Sequence, residues 1–389
     1  MLLGIARVRH SWLVGFALVV MFSGCKCQKN ETSSSTSEEI RIGEIGSMTG
    51  SEATFGQSTH NGIIMAIDAV NAAGGVHGKK IRVITLDNQG KPEEAATAMT
   101  RLINQDRVIA VLGEVASSRS MAMAPIAQAA KIPMISPSST NPKVTQLGDY
   151  IFRVCFIDPF QGSVMARYAT EVLKLKKVAI LRDVKNDYSV GLADFFKETF
   201  TKNGGEIVVG QSYSAGDVDF KAQLTSIRGY KPEAIFVPGY YTEVGLIARQ
   251  AKELGLNVPL MGGDGWDSPK LVEIGGAAID GSYFSNHYSS EDQTPRVQEF
   301  ISGYKAKFGS VPDGLAAMGY DAAVVLVDAL KKTPSLQPSE IRNAIAATKD
   351  FQAVTGKISI DANRNAVKSA VVLGIKNGVF KYQSTITPM

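Results

Sequence analysis

Three cysteines, four histidines and two tryptophans in 389 residues leave little room for several kinds of chemistry. Cys25, Cys27 and Cys155 cannot build a disulfide framework for a chain of this size, so packed cores must carry its stability. Beyond the first two dozen residues the histidines are His60, His77 and His287. None stands at helical metal-ligand spacing from another, and no metal site is expected. His77, in GGVHGKK, reads as an exposed turn residue, and Cys155, inside YIFRVCFI, as a buried thiol rather than a nucleophile. No G-x-x-x-x-G-K-[ST] loop is present. The glycines of GEIGSMTG fall at 43, 46 and 50, missing the G-x-G-x-x-G spacing that lets a backbone approach a pyrophosphate. Neither a cofactor nor catalysis is expected. The formal net charge is +4, of which Arg7 and Arg9 supply two, and no basic block marks a nucleic-acid partner.

The N-terminal segment has a composition of its own. Arg7, Arg9 and His10 precede an apolar run from Trp12 to Phe22, then Ser23-Gly24-Cys25. The run is shorter than the roughly 20 residues a membrane span requires, and the order of basic head, apolar middle and small residues is that of a secretory signal over 1–24. Cys25 after Ser-Gly resembles a bacterial lipobox, in which cleavage leaves the cysteine lipidated, although Phe22 stands where such boxes usually carry Leu. A plain signal with a chance cysteine is the alternative. KCQKNETSSSTSEE (26–39) offers nothing to bury, so 25–39 is expected to be a flexible tether.

The rest of the chain is ordinary globular protein, with 44% hydrophobic and 20% charged residues. Its order repeats. Strands are expected at 40–46, 80–87, 108–113 and 132–137, with helices over 57–73, 92–105 and 117–130 between them. The first helix stops at Ala73-Gly74-Gly75. KKVAILRD (176–183), EIVVGQSY (206–213), AIFVPG (234–239) and NVPLMGG (257–263) then replay the strand order, with Asn203-Gly204-Gly205 as the matching stop. Val111 precedes Pro133 by the interval at which Val237 precedes Pro259. Helices at 295–308, 314–332 and 338–348 and strands at 357–360, 368–375 and 379–382 are too few for a third unit. The expectation is an α/β fold of two Rossmann-like open parallel-sheet lobes joined by several crossings: 40–156 with 285–352, and 157–284 with 353–389.

Open parallel sheets bind ligands beyond the carboxyl ends of their strands. In the first lobe those ends carry Glu114-Val115-Ala116-Ser117-Ser118 at a helix start and Pro137-Ser138-Ser139-Thr140; in the second they carry Tyr188, Gly239-Tyr240-Tyr241 and Gly262-Gly263-Asp264-Gly265-Trp266. Neutral donors on one side and an acid among aromatics on the other suit the carboxylate and ammonium of an α-amino acid. Each residue has a simpler reading as well. Ser117 could be a helix cap, Ser138 to Thr140 and Asp264 turn residues, and Tyr188 and Tyr240 packing aromatics.

At GSMTGSEATFGQ (46–57), VNAAGGVHGKKI (70–81), GEVASSRS (113–120), ISPSSTNP (135–142), PGYYTEVG (238–245) and GGDGW (262–266), the sequence resembles the leucine/isoleucine/valine-binding proteins, the type I periplasmic substrate-binding proteins of ATP-driven (ABC) amino-acid importers. The resemblance runs from about Ile40 to the C-terminus. It implies a monomeric, hinged, two-lobed protein that closes on its ligand and delivers it to a permease. Ser117 and Thr140, with the backbone at Ser138, would hold the ligand carboxylate. Asp264 would meet the ammonium where the aliphatic binders often have Glu. Tyr188 and Tyr240 would close over the ligand, with Phe55 at the cleft mouth and Val115 on its wall. A cysteine pair of some members is replaced by Gly90 and Ala116. The same fold could instead serve a sensory receptor for a small carboxylate or amide.

Overall fold

The computed structural model describes Ser11 and residues 39–388. The signal sequence, the tether and the lipidation at Cys25 expected above lie outside the described residues.

The first sheet grows from four βα steps. β1 (Ile40–Gly46), α1 (Ala53–Ala72), β2 (Ile81–Asp87) and α2 (Pro92–Asn104) come first, then β3 (Val111–Leu112), α3 (Ser117–Ala130), β4 (Met134–Ser136), α4 (Lys143–Gln146) and β5 (Ile151–Arg153). The strands pair in parallel in the order β2-β1-β3-β4-β5. β3, β4 and β5 are buried along their whole length, as strands covered by helices on both faces must be. Only 111–112 of the expected 108–113 strand pairs. α1 starts four residues earlier than expected.

Then α5 (Asp158–Arg167), β6 (Lys177–Asp183), α6 (Asp187–Lys202), β7 (Glu206–Tyr213) and α7 (Lys221–Gly229) begin the second sheet. β8 (Ala234–Phe236), α8 (Tyr241–Glu253), β9 (Leu260–Gly262), α9 (Pro269–Gly275) and β10 (Tyr283–Asn286) continue it. The parallel order β7-β6-β8-β9-β10 has the same topology as the first sheet. The repeat reaches the helix stops: Gly75 N donates to Val70 O and Gly205 N to Phe200 O, both at 2.9 Å, with Gly74 and Gly204 at positive φ. These backbone bonds cap the last turns of α1 and α6 in the same way.

α10 (Pro295–Phe308), α11 (Gly314–Lys332) and α12 (Pro338–Ala346) return to the first lobe. Ile63 and Ile67 of α1 share a core with Leu326 and Leu330 of α11 and Ile341 of α12. β11 (Phe351–Ala353), β12 (Gly356–Ile360) and β13 (Ala366–Val367) form a small antiparallel sheet. β14 (Ala370–Lys376) and β15 (Val379–Ile386) then add antiparallel strands beside β10.

The expected boundaries shift accordingly. Ser285 and Asn286 belong to β10 and so to the second sheet. Residues 353–367 stay with the first lobe, because Ala353, Ile358 and Ala366 are buried in the same core as Ile42 and Leu326. The chain crosses between lobes after β5, after β10 and after β13.

Candidate functional site

In both sheets the strand order reverses beside the first strand of the repeat, between β1 and β3 and between β6 and β8. A crevice opens at the carboxyl ends at such a point, and the two crevices face each other.

On the first lobe, the turn after β4 is tied to the turn after β3 by serine hydroxyls. Ser136 Oγ donates to Glu114 O at 2.6 Å, and Ser139 Oγ reaches Glu114 O and Val115 O, each at 2.9 Å. Asn141 N donates to Ser117 Oγ at 3.1 Å, so Ser117 receives a bond and keeps its own proton to give. Behind this layer Arg119 lies buried between two acids, 2.6 Å from Glu52 Oε2 and 3.0 Å from Glu114 Oε2. Burial opposes its charge, but Glu114 and Glu52 outweigh it and raise the guanidinium's pKa. Arg119 also donates to Gly90 O at 3.2 Å. Arg119 of α3 thus ties together Glu52 at the start of α1, the β2–α2 loop and Glu114 after β3.

On the second lobe, the Asn186 side chain caps α6 by accepting from Tyr188 N at 3.0 Å. Tyr188 OH accepts from Gly265 N at 3.2 Å, and its ring stacks on Tyr240 with centroids 5.5 Å apart. Phe55, from the first lobe, meets Tyr240 and Tyr241 edge-on at 5.2 and 5.1 Å. Burial pushes the Tyr188 and Tyr240 hydroxyls well above the ordinary tyrosine pKa, so both rings stay neutral.

Asp264, buried at 4% exposure, sits where the two walls meet. Its Oδ1 accepts from Gln161 Nε2 at 2.8 Å, and its Oδ2 from Ser138 Oγ and His287 Nε2, both at 3.1 Å. Burial lowers the His287 pKa despite the pull of Asp264, so the imidazole is a neutral donor at pH 7. Its Nδ1 has no hydrogen-bond partner, which fits the tautomer with the proton on Nε2. The hydrogen-bond partners of this carboxylate are thus all neutral. Nearby, Asp158 is fully buried with neither oxygen hydrogen-bonded. Burial pushes its pKa up to about 8, aided by the charge of Asp264 and opposed by Thr140 and Arg153.

Phe55, Val115, Ser117, Ser138, Tyr188, Tyr240 and Asp264 line one cavity together with Gly265 and Leu315. Thr140 does not line it; it lies buried with its hydroxyl unpartnered. Ser138 reaches across to Asp264 with its side chain. The cavity holds about 240 Å³ of atom-free space, and the centre of a water molecule has only about 10 Å³ of it to move in. The lobes are closed upon it. Ser118 Oγ donates to Asp187 Oδ2 at 2.9 Å and accepts from Asp187 N at 3.1 Å. On the other flank, Thr242 Oγ1 donates to Ser51 O at 2.8 Å and Thr54 Oγ1 is 3.0 Å from Ser268 Oγ.

Sequence reading missed Gln161, Asp158, His287 and Leu315. Gln161, Asp158 and His287 lie on or next to a crossing between lobes and Leu315 in the first turn of α11, all away from the strand ends that topology points to. His77 is exposed and in a left-handed turn. Cys155 is buried and free, its thiol pushed up to about 12 by burial. Among the described residues no group of three or more His, Cys, Asp or Glu is placed to hold a metal ion.

This two-lobed fold, closed on a small cavity, has relatives. A family profile described as "Periplasmic binding protein" matches residues 39–378, and the chain belongs to that family. It is 31% identical over 330 residues to a leucine-, isoleucine-, valine-, threonine- and alanine-binding protein of Pseudomonas aeruginosa, covering 84% of this chain and 87% of that one. A leucine-binding protein of Thermotoga maritima superposes with a TM-score of 0.86 at 42% identity, covering 90% of this chain and 99% of its own. A branched-chain amino-acid transporter substrate-binding protein of Streptococcus pneumoniae, solved with isoleucine, superposes with a TM-score of 0.86 at 37% identity, over 90% of this chain and all of its own.

Proposed function

We propose that the chain is the extracytoplasmic solute-binding component of an ATP-driven importer, closing on an α-amino acid with a compact aliphatic side chain and handing it to a permease. A lipid on Cys25 would hold it at the membrane, and it would act as a monomer without catalysing a reaction.

The observation that carries this reading is Asp264. A buried carboxylate with only neutral donors around it attracts a cation, and a ligand ammonium supplies one through charge-assisted hydrogen bonds. Opposite it, the Ser117 hydroxyl and the first turn of α3, whose N–H groups lack helical partners, suit the ligand carboxylate; Thr140, which the resemblance paired with Ser117, does not line the cavity. Phe55, Val115, Leu315, Tyr188 and Tyr240 leave a small apolar-walled space for the side chain. A ligand that touches both walls binds the closed form better than the open one and shifts that equilibrium. The leucine-binding and isoleucine-bound relatives support the choice of side chain.

The test is a thermal-shift screen of ligand-stripped protein against all amino acids and related small carboxylates. A true ligand at 100 times its Kd adds about 2.7 kcal/mol of stability. Responses to leucine, isoleucine and valine are expected. A response to another amino acid alone would keep the mechanism and replace the specificity. Silence across amino acids, with a carboxylate or amide responding, would overturn the role of Asp264.

A further inference from the structure

Three crossings join the lobes, and a buried residue from each gathers behind Asp264. Phe156 follows β5, His287 follows β10 and Lys368 follows β13. The Phe156 and His287 rings lie against each other, with centroids 3.9 Å and planes 30° apart. Lys368 is near enough for its charge to act on the imidazole.

Of these, His287 reaches the amino-acid site. Its Nε2 lies 3.1 Å from Asp264 Oδ2 and 3.3 Å from Ser138 Oγ, so one ring edge meets the acid of the second lobe and a hydroxyl of the first. The ring does not line the cavity and acts on a ligand through Asp264. On the other oxygen, Gln161 Nε2 donates at 2.8 Å, and with one donor side chain on each oxygen the carboxylate plane is fixed. A neutral imidazole orients that carboxylate and leaves its charge to the ligand. An imidazolium would supply the countercharge itself, at the same atom. Its extra proton would sit on Nδ1, which has no hydrogen-bond partner in this closed form. Burial opposes the charge, Asp264 favours it and Lys368 opposes it, with a net downward shift of the pKa. A ligand ammonium at Asp264 brings another like charge close by and drives the proton off. Imidazolium and ammonium are therefore rivals for one carboxylate.

We propose that His287 is a positioning residue of the amino-acid site and its acid switch. Neutral, it orients Asp264 toward the ligand ammonium; protonated, it takes Asp264 as its own partner and the ligand leaves. This role rests on the reading of Asp264 as the ammonium's partner. The ligand-free chain takes up the His287 proton more readily than the ligand-bound chain, so affinity falls as pH falls. Two neighbouring groups do not imitate this between pH 7 and pH 5. Asp158, pushed up to about 8 by burial, and Lys368, brought down to about 8 by burial, both stay largely protonated over that range. Asp267, pushed up to about 7 by burial, does titrate there, and it is left intact in the variants of His287 that serve as controls.

The experiment is calorimetric titration of the ligand-stripped chain with leucine at pH 7 and at pH 5, for the parent, His287→Gln and His287→Phe. The parent is expected to lose affinity by about three-fold or more on going to pH 5. His287→Gln keeps a neutral N–H donor and takes up no proton. It should bind within about two-fold of the parent at pH 7 and change by less than about two-fold at pH 5. His287→Phe keeps a ring against Phe156 without a donor, and should bind about five-fold or more weakly than the parent at pH 7. In the parent alone, leucine should lower the pH at which the His287 ring titrates, followed by imidazole NMR. Equal parent affinity at both pH values would overturn the switch, as would a titration that leucine does not move. A fall of the parent's size in His287→Gln would assign the effect to Asp267 or another group and overturn it too. Parent-like binding by His287→Phe at pH 7 would reduce His287 to packing and overturn the positioning role. A parent chain that binds no leucine at pH 7 would instead overturn the amino-acid reading, and this role with it.

Discussion

Asp264 and Asp158 share a buried neighbourhood, and their differing partners give them different work. Asp264 collects three neutral donors, while Asp158 has no hydrogen-bonded oxygen and burial pushes its pKa up to about 8. Replacing Asp264 by Asn keeps the size and removes the charge. Leucine affinity, measured by calorimetry, is expected to fall more than ten-fold, and an unchanged Kd would remove Asp264 from ammonium recognition. Asp158 sets a pH dependence. The folded chain keeps its proton up to about 8, whereas an exposed aspartate gives it up near roughly 4. Between those values the folded state holds the extra proton, so stability falls as pH rises, by up to about 1.4 kcal/mol per pH unit for this group. Asp267, raised to about 7, acts with the same sign over most of that window. Urea denaturation of ligand-free protein should show lower stability at pH 8 than at pH 5. Asp158→Asn should make the decline shallower, and an identical slope would show that Asp158 is not protonated in the fold. Strand-end residues were legible in the sequence because parallel-sheet topology says where to look. Gln161 and His287 were not, because a polar residue on a crossing helix and a lone histidine become neighbours of Asp264 only when the chain passes between lobes.

At the scale of elements, the two helix stops and the matching strand spacing could be read directly, since both are local. The return of α11 against α1 could not. That contact depends on glycines, whose role shows only once the helices meet: a methyl at Gly62 would collide with the Ala316 carbonyl oxygen, and one at Gly319 with the Thr59 carbonyl oxygen. These are backbone obstacles that no rotamer change relieves. Gly62→Ala is therefore expected to lower unfolding stability by about 2 kcal/mol or more, in the upper range for overpacking. The general helical preference for alanine acts the other way, by about 1 kcal/mol. Chemical denaturation checks the sign; a more stable variant would mean that the helices can separate at no cost. The small sheet of β11, β12 and β13 was misassigned for a related reason. Its strands are short, and only burial of Ala353, Ile358 and Ala366 ties them to the first core.

For the whole molecule, the closed arrangement is held at its mouth by polar pairs that exist only between lobes, with Ser118 and Asp187 bonded in both directions. Ser118→Ala removes that clasp and touches nothing in the cavity lining. It should weaken amino-acid binding a few-fold by favouring the open form, since apparent affinity scales with the competent fraction. Small-angle scattering of the ligand-free variant should show a larger radius of gyration than that of the parent chain; equal radii would mean that the clasp does not set the resting angle.

Interleaving has a further consequence for how such a chain is made. The first lobe's core is sealed by Ala366 of 389 residues, and the second lobe's sheet by β14 and β15 beyond it. During synthesis neither lobe can finish before almost the entire polypeptide has left the ribosome. Unlike a protein of two consecutive domains, which folds the first while the second is still being translated, this one stays incomplete until its last two strands have been made.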